Sequence, residues 1–212
     1  MSTNPAAVGR FTQLYDVYRA ADALARDPRI DSARIAILGS SAGGMASLYS
    51  AMTRFEEAFG AKGATIVARV AFYPLCNFEL QGELDVVEGP IRVFHGAKDD
   101  WAPIAPCQDY IERLQAVAAD ATITVYPDAR HNFDNVSSPA LNTYPDGVTT
   151  RHCMRREQNG QLVNVGTGRP FSFQDACVEY GPTTQYNDAA STAAQKAVKS
   201  LLEDVFDLSA AP

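Results

Sequence analysis

Apolar positions along this chain follow two periods in turn. Residues 11–26 place Leu14, Val17, Tyr18, Ala21 and Leu24 at helical spacing, and Asp27-Pro28 ends that helix. Arg34-Ile35-Ala36-Ile37-Leu38 is a short apolar run and reads as a buried strand. After it, Ala42-Gly43-Gly44-Met45-Ala46-Ser47-Leu48-Tyr49 opens a helix expected to reach about Phe59. Gly60 and Gly63 punctuate the turn into a second strand, Thr65 to Phe72, and a loop with Gly82 and Gly89-Pro90 leads to a third, Ile91 to His95. A helix over 106–119, with Tyr110, Leu114 and Val117 on one face, precedes a fourth strand, Thr122 to Tyr126. Residues 137–183 break the rhythm. They are rich in Ser, Asn, Thr, Gly and Pro, and read as an insertion or flap with at most a short hairpin. A last helix, 186–206, carries Ala190, Ala193, Ala197, Leu201 and Val205 on one side.

Strands alternating with helices through short connections imply an α/β fold, a mostly parallel sheet flanked by helices on both faces. The length of 212 residues fits one domain, 1–212, with the insertion inside it. A net charge of −7 argues against a nucleic-acid backbone or an anionic membrane as partner. No apolar run approaches the roughly 18 residues that a membrane span needs. Met1-Ser2-Thr3-Asn4-Pro5 is polar and uncharged, so no signal peptide is expected; the reading is of a soluble protein, cytoplasmic or exported.

The four cysteines, Cys76, Cys107, Cys153 and Cys177, include no Cys-x-x-Cys pair and no histidine cluster at zinc spacing, so no metal site is expected. Cys153 and Cys177 bracket a polar, glycine-rich loop with little core of its own, where a disulfide would help most. Cys76 and Cys107 each follow a strand end and could meet across neighbouring strands. Buried free thiols are the alternative for all four.

Candidate chemistry begins at Gly39-Ser40-Ser41-Ala42-Gly43, a Gly-x-Ser-x-Gly set between a strand and a helix. In that context the motif is a nucleophile elbow. The turn is so tight that the serine's neighbours must be small, and the Ala42 amide at the helix N-terminus points where an oxyanion would form. A serine nucleophile needs a base, and the base needs an orienting carboxylate, each on a loop after a later strand. After the third strand, His95-Gly96-Ala97-Lys98-Asp99-Asp100-Trp101-Ala102-Pro103 offers Asp99, with Asp100 as the neighbouring rival whose side chain should point elsewhere. After the fourth, Tyr126-Pro127-Asp128-Ala129-Arg130-His131-Asn132-Phe133 offers His131. His95 reads as structural, near the acid loop, and His152 as solvent-exposed. Trp101 and Phe133 flank the acid and the base and are candidates to line a substrate pocket, against ordinary packing. No cofactor is required by this chemistry.

These three segments, with Asp31-Ser32-Ala33-Arg34 leading into the first, resemble the dienelactone hydrolase family of α/β-hydrolases over roughly residues 11–136 and the final helix. The resemblance implies an α/β-hydrolase fold and hydrolysis of a small-molecule ester or lactone through Ser41, His131 and Asp99. Founding members of the family use a cysteine nucleophile; serine here suits broader esterase chemistry. Members normally carry several strands before the helix near Phe11, including the loop that supplies the second oxyanion donor, and the chain is expected to lack them. The strand at 34–38 would then be an unpaired edge, and self-association is expected to cover it. Two other readings stay open. The same three residues would serve an amide or acyl-peptide hydrolase, and a half-built oxyanion hole would leave a catalytically impaired remnant. A purely structural or binding module would make the Ser, Asp, His order a coincidence.

Overall fold

The computed structural model describes residues 11–208; the polar opening stretch read for a leader lies outside them. Four strands form one parallel sheet in the order β1-β2-β4-β5: β1 (Ile35–Ser40), β2 (Ile66–Phe72), β4 (Ile91–Gly96) and β5 (Ala121–Tyr126). Alternation along each strand divides the core. Ile37, Ala71, Ile91 and Val93 face α1 (Thr12–Leu24), α2 (Ala42–Tyr49) and α4 (Ile104–Ala116). Val70, Phe72 and Phe94 face α5 (Asp188–Val205). The chain has the α/β-hydrolase arrangement expected of its pattern, with helices on both faces of the sheet.

Each strand ends at the same rim, and the loops leaving β1, β4 and β5 meet there. Among the described residues β1 pairs only with β2, in register from Ala36 opposite Ala68 to Ser40 opposite Phe72, and Leu38 is 56% exposed beside its outer edge. An apolar groove of about 520 Å³ runs beside that edge, lined by Leu38, Phe72, Val198 and Leu202.

Two expectations need correction. The helix expected from Ala42 to about Phe59 is two helices, α2 and α3 (Thr53–Phe59). The Val87 amide donates to Ala51 O at 2.8 Å and the Thr53 amide to Asp85 O at 2.9 Å. These cross-chain bonds take the backbone of Ala51 to Thr53 out of the helical ladder, with Ala51 and Met52 wholly buried. Neither bond is visible in the local pattern.

The 137–183 segment holds far more than a short hairpin. β8 (Arg155–Gln158) and β9 (Gln161–Asn164) form a hairpin through Asn159-Gly160, both at positive φ (50° and 75°). That is the Asn-Gly turn chemistry of a tight hairpin, a signal the chain does display. β3 (Phe78–Glu79) and β10 (Arg169–Pro170) flank the hairpin in one sheet. Two further pairs close the segment: β6 (Asn142–Thr143) with β12 (Thr183–Thr184), and β7 (Val148–Thr149) with β11 (Glu179–Tyr180).

All four cysteines are bonded, Cys153 to Cys177 inside this segment and Cys76 to Cys107. The second pair meets, as expected, beyond the ends of the neighbouring strands β2 and β4. It joins the loop after β2 to the first turn of α4, because Pro103 starts that helix at Ile104, earlier than its apolar periodicity suggests.

Candidate active site

Ser41 sits between β1 and α2 with φ 53° and ψ −115°, a conformation strained for an L-residue. Its amide donates to Phe72 O at 2.9 Å, tying the turn to the end of β2. A Cβ at Gly39 would stand 2.2 Å from Gly43 O, and one at Gly44 would stand 2.6 Å from Phe72 O. Gly43, the second glycine of the motif, would meet nothing within 4 Å. The crowding therefore falls on Gly39 and Gly44. Ala42 occupies the first position of α2, where an amide has no intrahelical acceptor.

The acid and base loops pack directly on each other. The Lys98 amide donates to Ala129 O at 2.9 Å, and a Cβ at Gly96 would lie 2.3 Å from the same oxygen. Asp99 is buried. Its Oδ1 accepts from the Trp101 and Ala102 amides at 2.9 and 2.8 Å, and its Oδ2 lies 2.8 Å from His131 Nδ1. An ionised carboxylate only accepts, so Nδ1 carries the imidazole proton. Nε2, 3.0 Å from Ser41 Oγ, then presents its lone pair to the serine hydroxyl. Asp100 points away, as expected, and accepts from Thr183 through the amide and hydroxyl at 2.8 and 2.9 Å.

Two aromatic rings pack beside the imidazole. Trp101 is 5.2 Å away between centroids, and its Nε1–H donates to Val148 O at 3.1 Å. Tyr73, which the sequence reading did not single out, is 4.6 Å away. It adopts φ 37° at the end of β2 and donates its hydroxyl toward Asp134 at 2.5 Å and Asn132 at 3.1 Å. Burial first, and then the hydrogen bond to Asp134, push the Tyr73 phenol above its ordinary range. In sequence, Phe72-Tyr73-Pro74 reads as the apolar end of a strand; only the strand-end position hints at a role.

Phe133 does not line an open site. It is wholly buried against Phe72, Tyr73 and Tyr126 on the α5 face, because the chain turns inward after Asn132 at φ 65°. His95 is buried too, its Nδ1 3.1 Å from Gly96 O and 4.0 Å from Asp99 Oδ2. Burial lowers its pKa and keeps the ring neutral, against the opposing pull of Asp99. His152 is exposed, 3.7 Å from Glu179. Among the described residues there is no cluster of side chains suited to a metal ion, and no helix long and apolar enough to cross a membrane.

The sheet, the flanking helices and the strand-end loops define an α/β-hydrolase. The sequence matches the dienelactone hydrolase family over residues 9–206, and the chain belongs to that family, a family of hydrolases. A putative dienelactone hydrolase from Klebsiella pneumoniae superposes with a TM-score of 0.57 at 18% identity, over 92% of this chain and 62% of that one. A dienelactone hydrolase-like promiscuous phosphotriesterase from metagenomic libraries gives 0.56 at 18% identity, over 95% of this chain and 69% of that one. The uncharacterized peptidase YuxL of Bacillus subtilis is 25% identical over 150 residues, 58% of this chain. The chain thus spans 62% of the Klebsiella enzyme and only 22% of YuxL.

Proposed function

We propose that this chain is a serine hydrolase that cleaves small carboxylic esters or lactones through an acyl-enzyme. The observation that carries the reading is the chain of contacts from Asp99 Oδ2 through His131 to Ser41 Oγ, at 2.8 and 3.0 Å. Ser41 Oγ attacks the carbonyl carbon while its proton passes to His131 Nε2. The carbonyl electron pair moves to oxygen, where the Ala42 N–H donates. Asp99 stabilises the imidazolium, which then protonates the leaving alkoxide as the C–O bond breaks. Water, deprotonated by His131, releases the acid by the same steps. No cofactor takes part in this reading, and a small ester or lactone is its only required partner. The two disulfides support an oxidising compartment as the place of work.

Hydrolysis of p-nitrophenyl acetate and butyrate by the chain and its Ser41→Ala variant tests the reading. The variant is expected to lose at least about 10³-fold in kcat. Equal background rates in both would mean a catalytically impaired chain whose oxyanion hole is half built. The likeness to a protein named as a peptidase favours amide or acyl-peptide hydrolysis as a second reading. An acyl-aminoacyl p-nitroanilide run beside the esters separates the two.

A further inference from the structure

Two aromatic rings stand beside the imidazole, and they differ in exposure. Tyr73 is buried and committed to Asp134 and Asn132. Trp101, 5.2 Å from the imidazole, and its neighbour Tyr144 are both only half-buried, with ring centroids 5.2 Å apart, and Trp101 is the chain's one tryptophan. Trp101 is held at three points. Its amide donates to Asp99, its Nε1–H to Val148 O, and its own carbonyl accepts from Thr149 Oγ1 at 2.8 Å. Because the indole N–H is already used, the ring offers a fixed apolar face with no polar group to satisfy. Tyr144 is set by its own backbone. Its amide donates to Pro182 O at 3.0 Å, and its carbonyl accepts from the Gly147 amide at 2.8 Å. The insertion that carries Tyr144 is joined to both loops of the site. Arg151 donates to Asp100 O at 2.7 Å, and Arg130 on the base loop donates to Thr183 Oγ1 at 3.1 Å.

We propose that Trp101 and Tyr144 form the wall against which the alcohol part of the substrate lies, and that this wall selects esters of flat aromatic alcohols such as benzyl esters. The proposal rests on the serine hydrolase reading and names its substrate class. The reason is the path of the proton. The leaving alkoxide must take its proton from His131 Nε2, the ring nitrogen that Asp99 does not hold. The alcohol oxygen therefore comes within hydrogen-bond reach of Nε2, and its carbon substituent lies near the partly exposed ring beside His131, which is Trp101. A flat ring stacks on an indole and a phenol; a puckered ring of the same size does not.

Trp101 supplies the assay. In the Ser41→Ala chain, titration with benzyl alcohol or cyclohexylmethanol is followed by Trp101 fluorescence. Benzyl alcohol is expected to give a saturable change and to bind roughly 2- to 10-fold more tightly. The same preference is expected in kcat/KM of the active chain for benzyl acetate over cyclohexylmethyl acetate, two esters whose leaving groups differ little in acidity. Tyr144→Leu should bring both ratios close to one, while Tyr144→Phe, which keeps the ring, should retain them. Equal binding of the two alcohols, or a preference that survives Tyr144→Leu, overturns the proposal. Ester turnover without aromatic preference would overturn the wall and leave the hydrolase reading standing. A fluorescence preference in a chain that hydrolyses no ester would do the reverse.

Discussion

At Ser41 the backbone is as specialised as the hydroxyl. A serine at φ 53° is tolerated because Gly39 and Gly44 let neighbouring backbone approach to distances no Cβ would allow. Gly39→Ala is therefore expected to cost about 1–3 kcal/mol, whereas Gly43→Ala, opening into free space inside α2, should be neutral or stabilising by up to ~1 kcal/mol. Thermal denaturation of the two variants decides this, and the reverse order would show that the crowding is elsewhere. His95 carries a second prediction. Its folded pKa is lowered by burial, with Asp99 opposing and His131 adding slightly, so the unfolded chain binds the proton more readily. Stability should therefore fall as pH drops through the ordinary histidine range, by at most about 1.4 kcal/mol per pH unit, and level off below the folded pKa. The loss in Tm between pH 7.5 and 5.5 should shrink in His95→Asn; an unchanged loss would assign it to other groups. Ser41, Asp99 and His131 were legible because each stands just past a recognisable strand. Tyr73 was not, since an aromatic residue at a strand end looks like core until its hydroxyl is seen to reach Asp134.

The regular elements announce themselves through apolar periodicity, and their ends depend on partners. α5 begins at Asp188 because the Asn187 side chain accepts from the Ala190 amide at 3.0 Å. α2 stops at Tyr49 because the backbone beyond it bonds to residues 85–87, Ala51 O accepting from the Val87 amide and the Thr53 amide donating to Asp85 O. The 137–183 segment has short strands and little apolar patterning, so its order depends on cross-links. The Cys153–Cys177 bond spans 24 residues. Chain-entropy arguments give such a link about 3 kcal/mol. In the Cys153→Ser/Cys177→Ser chain, amide hydrogen exchange across residues 142–184 should rise sharply, with the β1-β2-β4-β5 sheet protected as before. Uniform protection in both would mean the small strands hold the segment unaided.

At the scale of the whole molecule, the outer edge of β1 has no strand partner among the described residues. Exposed Leu38 beside the groove of Val198 and Leu202 presents backbone hydrogen-bonding groups and apolar surface together. Lys199 and Glu203, which line the same groove, lie 3.6 Å apart and pair with each other. We predict concentration-dependent self-association that Leu38→Lys weakens at least tenfold, measured by sedimentation equilibrium. A monomer at millimolar concentration would refute it. The sequence alone determined the order of elements, the tight turn at Ser41 and the strand ends from which an acid and a base project, because these depend on neighbours within a few residues. Which of those side chains meet was decided by tertiary structure. Asp99 and His131 are 32 residues apart, and Ser41 and His131 are 90 apart. They converge because the parallel order β1-β2-β4-β5 brings three strand ends to one rim. The same packing turned Phe133 into the core and set Tyr144 beside Trp101, placements that depend on contacts between distant segments and that no local period encodes.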